Sequence, residues 1–364
     1  MSAWSEAGGD EARLALYAQL GQVEGLAIDD GRILASINPS HAPTGALGDL
    51  VGGTSQIQAG ESWLRERGCL AVQAPLELAT WFPYRANLGP HDDAPFWGEP
   101  QGPPEPWREA GYREVARYAS ALAENSAATA YGQAKRPRGV HIHQMGDFEE
   151  SLESIWRLAT SSFEEAYAYS PLPQEAMAAL YRPLRDHVVP ELVLFAEVDR
   201  EPAGFVFGIP DLAAPGSGRF IVKTLAVAPA HRRSGMGAWL VGELHRAASK
   251  LGFTHGIHAL MWAGSRSRNI SPRAASSSPL GWPLSLSMML MPLHVADLSN
   301  STALTASTAL CLRPHFTFRM QLQVSPCAQT RPVPIPSLPT CLDLTRVCRS
   351  QKFPFRLAGA ASGH

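Results

Sequence analysis

The stretch 220–250, FIVKTLAVAPAHRRSGMGAWLVGELHRAASK, opens on an apolar run with β-branched members, Phe220 to Val227. Such a run reads as a buried strand, and Pro229 ends it. The loop 230–237 then carries two arginines and two glycines, after which Trp239, Leu240, Leu244, Ala247, Ala248 and Leu251 recur at helical spacing. The order is strand, Arg/Gly loop, helix. The first N–H groups of a helix lack intrahelical acceptors and sit at the positive end of its dipole, so an anion fits there. Gly235 and Gly237 keep side chains away from that backbone, and Arg232 or Arg233 can add a charge-assisted hydrogen bond.

No Gly-Lys-Ser/Thr follows, so the loop is not a P-loop, and Leu240 stands where a dinucleotide fingerprint needs its third glycine. The pattern Arg232-x-x-Gly235-x-Gly237, preceded by Leu225-Ala226-Val227-Ala228-Pro229, resembles the acyl-CoA loop of the GNAT N-acetyltransferase superfamily. The resemblance implies that Leu225, Ala226 and Val227 present backbone groups to the pantetheine arm, with strands splaying after Val227. It also implies that Arg232, Arg233, Ser234, Gly235, Met236, Gly237 and Ala238 hold the pyrophosphate of acetyl-CoA, the co-substrate. An ordinary strand-to-helix turn is the structural alternative.

The 364 residues suffice for two domains, and 45% hydrophobic content suits a globular core. Charge is uneven: residues 1–270 hold 23 basic and 31 acidic side chains, residues 271–364 hold 8 and 2. An acidic body argues against nucleic acid as the main partner. MSAWSEAGGDEARLAL lacks a charged-then-apolar leader, so a cytoplasmic setting is expected. The longest late apolar run, around Leu284 to Leu293, is interrupted by Pro283 and Pro292 and is too short to span a bilayer, so no membrane association is expected. Cys69 stands alone in the body, and Cys311, Cys327, Cys341 and Cys348 lack C-x-x-C spacing, which predicts neither a metal site nor a disulfide framework.

Along the chain, 12–20 predicts a short helix, Gly31–Ile37 a strand, Gly45–Gly53 a Gly-rich connector, Gly60–Arg67 a helix and Cys69–Pro75 a strand. An aromatic cluster follows, Trp81-Phe82-Pro83-Tyr84-Arg85 and then Phe96-Trp97. It can line a substrate cleft or fill core, and the core reading is favoured because large aromatics are packing elements. Trp107 to Tyr112 and then 113–122 resemble the helix, Gly-Tyr/Phe and final strand that close many GNAT domains. From Val140 a strand, a helix capped by Asp147, a second helix over 174–182, a hairpin of Leu192–Val198 and Ala203–Ile209, the opening stretch and a strand Phe253–Met261 follow.

That order resembles a GNAT domain through its fifth strand, and 1–122 resembles one more loosely, as a diverged repeat without the Arg/Gly loop. The expected fold class is α+β (mixed α/β): two GNAT-like domains with central, mostly antiparallel sheets flanked by helices. The expected boundaries are a degenerate copy over 1–122, a linker over 123–138, and an acyl-CoA-binding domain over 139–270 truncated after its fifth strand. A Ser/Pro/Leu/Thr-rich, glutamate-free tail over 271–364 reads as disordered, with one alternating piece, His315 to Val324, able to form a strand.

The resemblance implies an acyl-CoA-dependent N-acyltransferase that moves acetyl to a small-molecule or protein amine. Such chemistry needs a base for the amine proton and an acid for the leaving thiolate. Lys223 occupies a strand position where many members place an acid, no tyrosine occurs after Tyr181, and Ser265 takes the expected asparagine position. Glu197, Asp211, His255 and His258 are candidate bases, each with a purely structural reading as well, and His231 can touch phosphate, so the catalytic pair stays open. Two alternatives accompany the transferase: a catalytically inactive CoA-binding or interaction module, and an incomplete product whose missing sheet edge leaves apolar faces uncovered. Oligomeric state is not specified by the sequence.

Overall fold

The described residues form one twelve-stranded sheet, with eleven strands on a single hydrogen-bonded path and β5 pairing off that path with β12. The computed structural model describes residues 2–88, 96–99, 102–125, 134–262 and, for the backbone, 284–292. The first half contains α1 (Ala3–Glu6), α2 (Glu11–Ala18), β1 (Gln22–Ile28), β2 (Gly31–Ile37), β3 (Thr44–Val51), α3 (Thr54–Glu66), β4 (Ala71–Ala74), β5 (Ala86–Asn87), α4 (Glu105–Glu109) and β6 (Arg113–Glu124). The second contains β7 (Val140–Gln144), α5 (Phe148–Phe163), α6 (Gln174–Tyr181), β8 (Val193–Val198), β9 (Glu201–Pro210), β10 (Arg219–Val227), α7 (Met236–Lys250), β11 (His255–Trp262) and β12 (Leu284–Pro292). The mixed α/β class and the mostly antiparallel pairing agree with expectation. Only β3–β4 and β10–β11 are parallel.

Local chemistry explains the boundaries. Asp147 caps α5 by accepting from the N–H groups of Glu149 (2.9 Å) and Glu150 (3.1 Å). The helix buries Phe148, Leu152, Ile155 and Ala159, which are spaced three and four apart. On the opposite sheet face α7 buries Trp239, Leu240, Leu244 and Ala248. Gly204 allows that close packing, since a Cβ there would lie 2.9 Å from Ala226 O and 3.2 Å from Met236 Sδ. Each fully buried Leu or Phe of these faces adds about 1.5–3 kcal/mol. One core cluster joins the halves, with Tyr17, Leu34 and Phe82 packed together with Phe148, Leu152, Phe205 and Phe207.

The repeat is visible in the pairing. β2–β3 is antiparallel and β3–β4 parallel around α3, as β9–β10 is antiparallel and β10–β11 parallel around α7. The sheet order β4-β12-β6-β11 shows that the halves exchange closing strands. β6, from the first half, pairs antiparallel with β11 from His255↔Glu124 to Trp262↔Tyr118. β12, from beyond the second half, lies between β4 and β6.

Three expectations need correction. Residues 45–53, read as a connector because of their glycines, are mostly β3: Gly45 sits against Leu64 and Gly48 against Glu77, where no Cβ fits. The edge after the fifth strand of the second half is not left uncovered, because β6 takes that place. Within 271–364, read as a tail without regular structure, residues 284–292 form β12; the rest of that span, including His315 to Val324, lies outside the described residues.

Candidate functional site

β10 and β11 run together only from Arg219↔His255 to Val222↔His258 and then part. Both strands bend at that point. β10 has a bulge between Val222 and Thr224, centred on Lys223, and β11 has one between His258 and Met261. Leu260 adopts φ 57°, and its N–H is held by Ser120 Oγ of β6 at 2.9 Å, so the first half's strand draws β11 away from β10. The splay therefore begins after Val222, not after Val227 as expected, because the bulge at Lys223 breaks the register first. Beyond it, Thr224 to Val227 pair with β9 on one side only, leaving the backbone groups of the other side without a strand.

The loop leads from this slot to α7. Gly235, the N-cap, has φ 83°, the left-handed region that glycine enters without penalty, and no side chain caps the helix. Met236 N–H reaches Ser234 Oγ (3.3 Å), while the N–H groups of Gly237 and Ala238 have no acceptor among the described residues. Arg233 and Ser234 are exposed beside them. Arg232 turns instead toward α5, donating to Glu165 Oε2 (3.0 Å) and Ser162 O (2.9 Å), which fixes the loop against that helix. The sequence-predicted residues Leu225, Ala226, Val227 and 232–238 thus form one continuous strand end, loop and helix start.

The first half closes the equivalent features. Leu76 N–H donates to Leu47 O at 2.7 Å, so the returning chain fills the gap beside β3. Asp49, at the β3 bulge, is held by Arg13 Nη2 (2.6 Å) and Arg32 Nη2 (3.1 Å), while Tyr17 OH donates to buried Glu77 Oε2 (2.9 Å). At the α3 N-terminus Gln56 Oε1 accepts from the N–H of the N-cap residue Gly53 at 2.9 Å.

A cavity of about 1710 Å³ borders the open slot and takes lining from both halves, including Thr224, Leu225, Leu260, Tyr167, Trp81 and Tyr84. The aromatic cluster is divided: Phe82 and Phe96 are buried in the core, while Trp81 and Tyr84 are half-buried at this cavity. Lys223 Nζ reaches Tyr181 OH at 3.1 Å inside it. Tyr181 was not singled out from the sequence, because it lies 42 residues from Lys223 and only the packing of α6 on the sheet joins them.

The candidate bases are dispersed. Glu197 faces His143 (3.2 Å) on β8, and His255 meets Thr254 Oγ1 (2.9 Å). Buried Asp211 pairs with Arg219 and accepts from Trp97 N–H (2.9 Å), a structural role. His258 borders the cavity but turns its Nε2 to His245 Nε2, 2.9 Å away on α7. Asn125 Nδ2 donates to Phe253 O, so Asn125 Oδ1 accepts from His245 Nδ1–H (2.7 Å), and His245 Nε2 accepts from His258. Burial pushes His258 down to about 4; burial, with a smaller contribution from His258, pushes His245 down to about 3, so both rings are neutral near pH 7.

This pair sets a pH dependence. The unfolded histidines bind protons below about pH 6.5 and the folded ones do not, so stability is complete above that pH and falls toward pH 4 at about 1.4 kcal/mol per pH unit per proton. Glu77 runs the other way. Burial raises it to about 7 in spite of Arg13, so the stability it adds is present below about 4.5 and lost as the pH rises through 7. Two histidines outweigh one carboxyl, and a net acid loss of stability is expected. His258→Gln should flatten that loss in urea titrations between pH 7 and 4.5; an unaltered slope counts against the assignment.

Among the described residues no group of three His, Cys, Asp or Glu can hold a metal, and no helix is long and apolar enough to cross a membrane. No curated protein sequence matches the chain. Residues 152–270 match the family model described as "Acetyltransferase (GNAT) family". Similar solved structures include a GCN5-related N-acetyltransferase from Sphaerobacter thermophilus, at 15% identity and TM-score 0.46, covering 72% of this chain and 76% of that one. A tandem GNAT protein from the clavulanic acid biosynthesis pathway is 12% identical with TM-score 0.46, covering 80% and 90%. A probable N-acyltransferase from Enterococcus faecalis V583 is 12% identical with TM-score 0.47, covering 77% and 64%. At such scores these likenesses carry no argument about substrate. The match to 152–270 falls on the segment that holds the splayed strands, the Arg/Gly loop and the uncapped helix, and over that segment the chain is similar to the GNAT acetyltransferase family.

Proposed function

We propose that the protein is an acyl-CoA-dependent N-acyltransferase that transfers acetyl from acetyl-CoA to an amine, using the second half alone as its donor site. The observation that carries this is the contrast between the two strand ends: Thr224 to Val227 of β10 stay open on one side, next to the open N–H groups of Gly237 and Ala238, while beside β3 the returning Leu76 donates to Leu47 and fills the gap. Open N–H groups at a positive helix end suit a pyrophosphate. The one-sided backbone of Thr224 to Val227 suits the amides of a pantetheine arm, and acetyl-CoA, when bound, supplies the activated acyl carbon.

The chain's own residues then orient the amine and move protons. The amine nitrogen forms the N–C bond as the C–S bond breaks, and the electron pair leaves on sulfur. The sulfur needs a proton, and we assign this to the Tyr181 hydroxyl, which Lys223 holds at the bulge, with water restoring it afterwards. The amine proton passes to water, since Lys223 replaces a carboxylate at the bulge. That replacement also favours a second reading, a catalytically silent CoA-binding module.

Calorimetric titration with acetyl-CoA, paired with thiol release on an amine panel, separates the two. The transferase is expected to bind micromolar acetyl-CoA and release thiol, with Tyr181→Phe lowering kcat about 10²-fold at an acetyl-CoA Kd within twofold of wild type. Binding without thiol release from any amine supports the silent module, and no binding by the folded protein overturns both.

A further inference from the structure

Arg85 is the side chain in this cavity whose placement the transfer chemistry leaves unexplained. It comes from the first half, directly after the aromatic cluster, and is only 7% exposed. Its guanidinium lies 3.4 Å from the centre of the Tyr84 ring and 4.2 Å from that of Tyr118, and it shares a side-chain hydrogen bond with Tyr118. Its Nε and Nη1 are buried with no hydrogen-bond partner, and no carboxylate of the described residues pairs with it. Its backbone stands at φ 82°, a conformation that arginine rarely adopts. Burial lowers its pKa to about 9, which still leaves it charged at neutral pH.

A buried cation without an anion and with a strained backbone is doubly unfavourable, and such combinations collect at ligand sites. Arg85 borders the same cavity as Leu260 and Trp262, the splayed end of β11, and Tyr118 is the register partner of Trp262. Of the carboxylates in this lining, Asp49 is paired with Arg13 and Arg32, Glu77 with Arg13 and Tyr17, and buried Glu99 has an interaction of its own that does not involve Arg85. Lys223 meets the Tyr181 hydroxyl and ring, and no carboxylate of the described residues pairs with it. The slot side of the cavity thus presents two cations without carboxylate partners, and a thioester with its pantetheine arm brings no charge to balance them. A cavity of about 1710 Å³ also exceeds the roughly 300–1,000 Å³ of a single-ligand pocket, leaving room for an acceptor beside the donor.

We propose that the acceptor is an amine that also bears a carboxylate, and that Arg85 is the residue that holds this carboxylate. The proposal rests on the transferase reading of the slot. A planar guanidinium that is charged at neutral pH is suited to a carboxylate, whose two oxygens can take up donors that otherwise stay unpaired. Because Arg85 is contributed by the half with the closed donor site, the two halves would divide the work, one holding the donor and the other selecting the acceptor.

The experiment measures thiol release at saturating acetyl-CoA for a panel of free amino acids, each beside its α-carboxamide. At least one amino acid should exceed its carboxamide in kcat/KM by 30-fold or more. Arg85→Gln should shrink that ratio below threefold by raising KM for the carboxylate, with the acetyl-CoA Kd within twofold of wild type, and Arg85→Lys should fall between. Equal kcat/KM for both members of every pair overturns the proposal, as does a loss of acetyl-CoA affinity matching the loss for the amino acid, which would assign Arg85 to the donor. Should Arg85→Gln not fold, the wild-type ratio and Arg85→Lys decide. Should acetyl-CoA bind and no amine turn over, the transferase reading fails, and titration of wild type and Arg85→Lys with N-acetylglycine against N-acetylglycinamide reads the anion site. Binding of the carboxylate alone, weakened in the variant, supports that site, and no discrimination overturns it.

Discussion

Cutting the chain between residues 126 and 133 is expected to yield two fragments that do not fold alone and that recover a cooperative transition only when mixed. The reason is β6. It supplies the antiparallel neighbour of β11 through six register pairs, and on its other edge it pairs with β12. The second fragment alone would expose one edge of β11, lose Ser120 Oγ from the splay, and strip Asn125 from the buried His245–His258 pair. The first fragment would lose the strand between β4 and β6. An unsatisfied buried polar group costs about 1–3 kcal/mol, so several at once are comparable with the roughly 5–15 kcal/mol that holds a domain together. Circular dichroism with urea denaturation of each fragment and of an equimolar mixture tests this. A second fragment that unfolds cooperatively by itself would show that the exchanged strand is dispensable.

Gly235→Asp should weaken acetyl-CoA binding at least ~100-fold, about 2.7 kcal/mol, while leaving the protein folded. The site accepts the side chain, since a Cβ at Gly235 meets no atom within 4 Å, and aspartate tolerates the left-handed conformation better than most residues. A carboxylate there takes up the open N–H groups of Gly237 and Ala238 and repels a pyrophosphate, removing charged hydrogen bonds of about 1.5–3 kcal/mol each. Gly235→Asn separates charge from shape and should weaken binding less than ~10-fold. Gly53→Asp, at the N-cap of α3 in the half where the gap beside β3 is filled, should leave Kd within twofold of wild type. Titration calorimetry on the three variants checks the set, and equal losses for Gly235→Asp and Gly53→Asp would contradict a single donor site.

What the amino-acid sequence made legible is what local pattern encodes. The run Phe220 to Val227, the Arg/Gly loop and the helical spacing from Trp239 onward all depend on neighbours within a few residues, and β10 (Arg219–Val227) and α7 (Met236–Lys250) follow them closely. β3 was obscured because its glycines, which read as a connector, are there to admit Leu64 and Glu77, contacts that no local pattern reveals. The partnership of β6 with β11 spans more than 130 residues, and an antiparallel pairing of half-buried strands carries no sequence label of its partner. Tyr181 and Arg85 escaped for the same reason, since each belongs to the site only through an element from elsewhere in the chain. Lys223 looked like the loss of an acid; in the fold it marks the bulge where the strands part.

The exchanged strands also bear on how the molecule is made. A nascent first half leaves the ribosome without β12, which is synthesised some 170 residues after β6. Until it arrives β4 and β6 have no strand between them, so the early intermediate is incomplete in a way that no amount of local propensity repairs. A chain ending before residue 284 would therefore lack the strand that joins β4 to β6 and leave both of those edges unpaired.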